Sequence, residues 1–282
     1  MKALAPLRAE LRTAALPAAA LTVAAALSAS ARPLAELSAA TTRGQDGIGQ
    51  AMAHLISPAG ALQAAAWHHG ALLGLVFAAL LGAVLGGEGV ETGTWSLARL
   101  HQASVVRGLL WKIAAVLTAS CISVLVTWAA LWGSAQLFEP PTPPPHVTWA
   151  QHITWQAAPV GWAETAESCS RAVLALSVYA ALGVCAAAAT RVVIAGAAVA
   201  VGGMVVTMPL VTTGIRSTLP HYWIAAWMEF PGGAQWELYW WSSSPIGAGI
   251  GVPLTVMCAL LLLLLAAAWL LLRGERALTP RA

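Results

Sequence analysis

Between two long apolar runs the chain carries one charged interval, residues 86–112, GGEGVETGTWSLARLHQASVVRGLLWK. Glu88 and Glu91 come first, then a Gly93-Thr94 break and Trp95, then Arg99, Arg107 and Lys112, so the charge passes from acidic to basic. That order suits a short helix. Acids near a helix start and bases near its end complement the macrodipole by roughly 0.3 to 1 kcal/mol each in exposed positions. A helix over residues 92–103, anchored at both ends to apolar runs, would turn a push on its surface into a tilt of the runs it joins.

Other residues that could do chemistry are arranged less favourably. No G-x-x-x-x-G-K-[ST] occurs, so the chain has no P-loop to cradle a nucleotide. His68 and His69 fall near the outer end of an apolar run, His101 in the charged interval, and His54, His146, His152 and His221 in connections. None has the partner in another span that a bis-histidine haem requires, and no metal site is expected. Glu139, Glu164, Glu167, Glu229 and Glu237 are all expected in loops, and neither H-E-x-x-H nor G-x-S-x-G is present. Catalytic residues are therefore not expected. Cys121, Cys169, Cys185 and Cys258 lie in or beside apolar runs and read as small packing residues.

The elements that position the charged interval follow from composition. With 59% hydrophobic and 9% charged residues and a mean hydropathy of +0.74, the chain reads as an integral membrane protein. Its 282 residues allow about six spans of roughly 20 residues and no separate soluble domain of ordinary size. The expected fold is all-α, with spans near 13–31, 67–87, 109–137, 170–190, 192–213 and 245–272 and a cytoplasmic segment at 88–108. Residues 1–12 read as an amphipathic helix at the inner surface. A secretory signal is the alternative there.

Residues 32–66 read as an outer connection with a short helix around Gln50 to Ile56, and the proline run from Glu139 opens a second outer loop. Glycines Gly82, Gly86 and Gly87 end the second span and permit close helix approach. Arg191 marks a tight turn between the fourth and fifth spans. Residues 214–244, with five tryptophans and a break at Pro231-Gly232-Gly233, read as interfacial or re-entrant helices before the sixth.

Orientation follows from the basic residues. Ten of the fourteen Lys and Arg fall on the side of the termini and of residues 88–112, which the positive-inside rule puts in the cytoplasm. No ionisable side chain is expected near the centre of a span, which weakens a proton-coupled secondary transporter. The small net charge of +3, scattered along the chain, gives no reason to expect nucleic acid as a partner.

In Glu91-Thr92-Gly93-Thr94-Trp95, followed by Arg107 and Lys112, the chain resembles the permease subunits of type-two ATP-binding-cassette (ABC) exporters of bacteria. There a Glu-x-Gly-Thr-Trp-like motif follows the second span, and an Arg and a Lys open the third. One departure is Gly89, where the family often has a second acid; this chain has Glu88 instead.

The resemblance implies a coupling helix seated by Glu88, Glu91, Gly93, Thr94, Trp95 and Arg99, with Arg107 and Lys112 fixing the start of span three. It further implies a cytoplasmic ABC ATPase partner that carries ATP and Mg, no cofactor on this chain, and a second permease copy or paralogue. The expected place is the bacterial inner membrane, in contact with the lipid bilayer, and the expected activity is export of a hydrophobic or amphipathic compound. The alternatives are a non-transporting anchor or sensor subunit of another complex, and a secondary transporter.

Overall fold

Alanine and leucine dominate the apolar runs, and both are strong helix formers. The computed structural model describes residues 15–43, 55, 57–91, 105–137, 161–207, 220, 223–224 and 251–273. Among these residues there are seven helices and no strand.

Helix α1, Ala15–Arg43, is apolar over Leu16–Ala31. The connection expected after Ala31 is helical up to Arg43 and runs through Pro33. Leu34, Ala35, Glu36, Leu37, Ala39 and Ala40 are good helix formers, and together they outweigh the backbone bond lost at the proline. Of the short helix expected around Gln50 to Ile56, only Leu55 lies within the described residues, and it is buried.

Helix α2, Pro58–Gly70, starts on a cap: the Gly60 amide donates to Ser57 Oγ at 3.0 Å, and Pro58 takes the first helical position, where its missing N–H costs nothing. It ends at Ala71, whose extended backbone interrupts the helix, and α3, Leu72–Glu91, resumes at once. The two helices meet at 70°. The span expected to run unbroken from Trp67 is therefore bent at Ala71. Gly74 makes the bend possible, because a Cβ there would lie 2.5 Å from the His69 Cα and 2.6 Å from its carbonyl oxygen.

Helix α4, Val105–Ala135, is uninterrupted. Helix α5, Trp162–Thr190, begins earlier than the span expected from Ser170. Glu164 and Glu167, expected in a loop, are helical. Glu164 lies in the first turn, where the macrodipole favours an acid, and Glu167 pairs with Arg171 one turn on at 2.5 Å. Arg191 then turns the chain in a left-handed conformation (φ 61°, ψ 14°), its amide donating to the Ala187 carbonyl at 2.7 Å. Helix α6, Val193–Thr207, leads back, and α7, Gly251–Arg273, completes the set.

Helix α5 is the hub. It packs against α2, α3, α4, α6 and α7, most extensively against α3. Its apolar window is 72% buried, whereas that of α7 is 17% buried, so α5 is interior and α7 peripheral. Close approach explains the α3–α5 contact: a Cβ on Gly82 would collide with the Ala180 carbonyl, and one on Gly183 with the Ala79 carbonyl. Gly86 is also close, 2.7 Å from such a Cβ position to the Val184 Cα. Small residues at such contacts let dispersion act between backbones where lipid offers no hydrophobic driving force. Helix α1 packs mainly on α4.

Among the described residues three helices, α4, α5 and α7, are long and apolar enough to cross a membrane, and the bent α2–α3 pair makes a fourth if counted as one span. Residues 1–12 and 92–104 lie outside the described residues, as do 214–244 except for Pro220, Trp223 and Ile224.

Candidate functional site

Two places hold the residues of interest. The first is one end of the bundle, where α3, α5, α6 and α7 converge. Val90, Ala188 and Leu272 form a small buried cluster there, joining the last turns of α3, α5 and α7. Beside it, the Val193 amide donates to the Glu91 carboxylate at 2.9 Å, although the two residues are 102 positions apart. Val193 opens α6, so Glu91 satisfies one of that helix's unpaired donors and places a negative charge at the positive end of its macrodipole. The exposed carboxylate thereby ties the end of α3 to the start of α6.

Of the other charged members of the interval, Glu88, Arg107 and Lys112 lie on described helices. Glu88 lies one turn before Glu91 on α3, and Arg107 and Lys112 lie in the first turns of α4. The segment expected at 88–108 is thus helical at both ends, with 88–91 in α3 and 105–108 in α4. Gly93, Thr94, Trp95 and Arg99, and the helix expected over 92–103, lie outside the described residues.

The second place is the inside of the bend. His69 is 1% exposed, and its Nε2 lies 2.8 Å from Thr127 Oγ1 and 3.1 Å from the Ser123 carbonyl oxygen. A carbonyl only accepts, so Nε2 carries the proton and Nδ1 is left as a lone-pair acceptor. His68 lies beside it, its ring 5.7 Å from that of His69 and edge-on, with Nε2 3.4 Å from Ser28 Oγ of α1. Thr22 of α1 faces Ser123 at 3.5 Å.

These contacts correct the placing of His68 and His69 near the outer end of a span, and the expectation that no ionisable side chain lies near a span's centre. The apolar stretch of α4 is Ala114–Ala135, and Ser123 and Thr127 sit in its middle. The bend at Ala71 turns the end of α2 across α4, which brings an ionisable ring to that level. A signal for this was present: Ser120, Ser123 and Thr127, spaced three and four apart, form one polar face in the apolar stretch of α4.

Farther along α4, the Trp128 indole donates to the Pro58 carbonyl at 3.0 Å and stacks on Trp132 at 5.8 Å. Thr165 Oγ1 reaches the Ala59 carbonyl at 3.4 Å, so the starts of α2 and α5 meet at this opposite end.

Among the described residues, no three of His, Cys, Asp and Glu come together as a metal centre would require. The four cysteines are free thiols, Cys121 and Cys258 exposed and Cys169 and Cys185 half-buried. Fold and composition together define an α-helical membrane protein. No family model matches the chain, and neither a curated protein nor a solved structure matches it.

Proposed function

We propose that the chain is the membrane-spanning permease subunit of an ATP-driven exporter. In this reading α1, the bent α2–α3 pair, α4, α5, α6 with the residues after it, and α7 are six spans of one half-pathway, completed by a second copy or a paralogue. Both termini and the end of the bundle that holds Glu91 face the cytoplasm of a bacterium. The compound exported is hydrophobic or amphipathic.

The observation that carries the reading is the position of Glu91. It is the last residue of α3, held to the start of α6, and the motif residues Gly93, Thr94 and Trp95 follow it directly in sequence. Glu91 is itself joined through α3 and α6, and through α5 against which both pack, to the close-packed interior of the bundle. Force delivered there by an ATPase would move helices rather than a loop. Such transmission through packed helices is the physical requirement for alternating access driven from outside the membrane.

The test is purification of the tagged chain in mild detergent from its native membranes, with mass spectrometry of what co-purifies. A stoichiometric ATPase carrying a Walker motif, lost when Gly93 and Thr94 are altered, supports the permease. A reproducible complex without any ATPase overturns it in favour of an anchor or sensor subunit.

A second reading, a secondary transporter, gains support from His69, since buried ionisable groups inside membrane bundles often mark ion or proton pathways. Transport that stops on collapse of the proton gradient and persists without ATP would select it.

A further inference from the structure

The inside of the bend contains a small cavity lined by Thr22 and Ala25 of α1, His69 of α2, Gly74 and Phe77 of α3, and Ser120 of α4. It leaves room for about one water molecule. Two buried polar atoms of its lining residues, His69 Nδ1 and Ser120 Oγ, have no hydrogen-bond partner among the described residues. Ser120 is 2% exposed and His69 1%. An unpaired buried polar atom costs about 1 to 3 kcal/mol, and because the two residues line the same small space, one partner there could serve both.

The chemistry of that partner is defined. His69 Nε2 donates to the Ser123 carbonyl, so Nδ1 needs a donor. The Ser120 hydroxyl can donate or accept. A group that serves both must have an O–H and a lone pair on one atom, and it must be no larger than the space. We propose that this cavity is a hydration site, in which one water donates to His69 Nδ1 and accepts from, or donates to, Ser120 Oγ.

The bend creates the site. Were α2 and α3 one straight helix, His69 and Gly74 would lie apart along it, and the ring would not close the cavity's end. Gly74 contributes by its bare Cα, since a side chain there would strike the backbone of His69. The water completes a polar path from Thr22 and Ser123 through Ser120 to His69, inside helices that otherwise present apolar side chains.

The experiment is magic-angle-spinning NMR of the full chain in lipid nanodiscs with 15N-labelled histidine, His69 being assigned by its loss in His69→Gln. The expected result is an unprotonated Nδ1 whose signal is shifted by hydrogen bonding, with a cross-peak from the imidazole to water protons that survives washing the outer solvent signal away. Ser120→Ala should weaken that cross-peak, and Ser120→Val, which fills the space, should abolish it. Absence of the cross-peak in the unaltered protein overturns the site by itself, whether or not the variants fold. A cross-peak undiminished in a folded Ser120→Val protein overturns it as well, because the water would then lie elsewhere.

Discussion

The Glu91 carboxylate accepts the Val193 amide at 2.9 Å, so the residue that ends α3 caps the helix that begins three elements later. Removing the acceptor should leave one helix-terminal donor unpaired and one dipole uncompensated. Glu91→Ala is expected to lower stability by about 1 kcal/mol, within the range for lost caps, and Glu91→Gln by about half as much because it keeps the acceptor and loses the charge. Thermal unfolding of the two variants in one detergent, with the ordering Ala below Gln below the unaltered protein, checks this. Equal stability of all three would mean that the contact contributes nothing.

Helix spacing between α3 and α5 rests on absent side chains. Gly82→Val and Gly183→Val should each cost about 1 to 3 kcal/mol or more, since the added atoms meet backbone that cannot rotate away. Gly202→Ala and Gly203→Ala in α6 serve as controls. A Cβ there meets nothing within 4 Å, and removing the glycine's backbone freedom should be neutral or stabilising by about 0.5 to 1 kcal/mol. The recovery of folded protein after mild heating separates the two pairs.

Arg191 occupies a conformation, φ 61°, that glycine adopts without penalty. Arg191→Gly should therefore stabilise the α5–α6 turn by up to about 1 kcal/mol, and Arg191→Val, with its branched Cβ, should destabilise it. Unfolding midpoints of opposite sign relative to the unaltered protein are the expected readout.

The His69–Thr127 contact joins α2 to α4 across 58 residues. Thr127→Val keeps the shape and removes the hydroxyl, and hydrogen bonds between membrane helices average about 0.6 kcal/mol with a maximum near 1.7. A loss in that range is expected, recovered by Thr127→Ser. Ser28→Ala, whose partner His68 is at 3.4 Å, should cost less.

If the chain is the permease of an ATP-driven exporter, Gly93→Pro and Thr94→Asp should uncouple transport while leaving membrane insertion and stability intact. Vesicles containing the variants and supplied with the ATPase would show no ATP-dependent accumulation of the transported compound. Transport at the normal rate in both variants would remove these residues from the coupling surface.

Much of the molecule was legible in the residues, and for local reasons. A chain that is 59% hydrophobic and 9% charged has few ways to satisfy its backbone except as helices in lipid, and no long-range knowledge is needed to say so. A turn at Arg191 was readable because it is the lone charge between two apolar runs, and a close helix approach along α3 because Gly82, Gly86 and Gly87 stand in its second half, though not that α5 is the partner. Less was legible where an ambiguous local signal met a tertiary constraint. Ser57-Pro58 marks a helix start, but Pro58 and Gly60 together also read as a turn. Glu164 and Glu167 follow closely on Pro159 and Gly161, yet the helix dipole and an ion pair favour extending α5 over them.

What the sequence determined by itself is therefore the solvent this protein lives in and the conformation of most of its backbone, because both follow from free energies summed over neighbouring residues. Tertiary structure alone decided the bend at Ala71, the capping of α6 by Glu91 and the burial of His69 against Ser123 and Thr127. The cap and the His69 contacts join residues 54 to 102 positions apart, and such a bond exists only once packing has brought its two ends within about 3 Å of each other; the bend, local in sequence, is held by the packing of both α2 and α3 against α5.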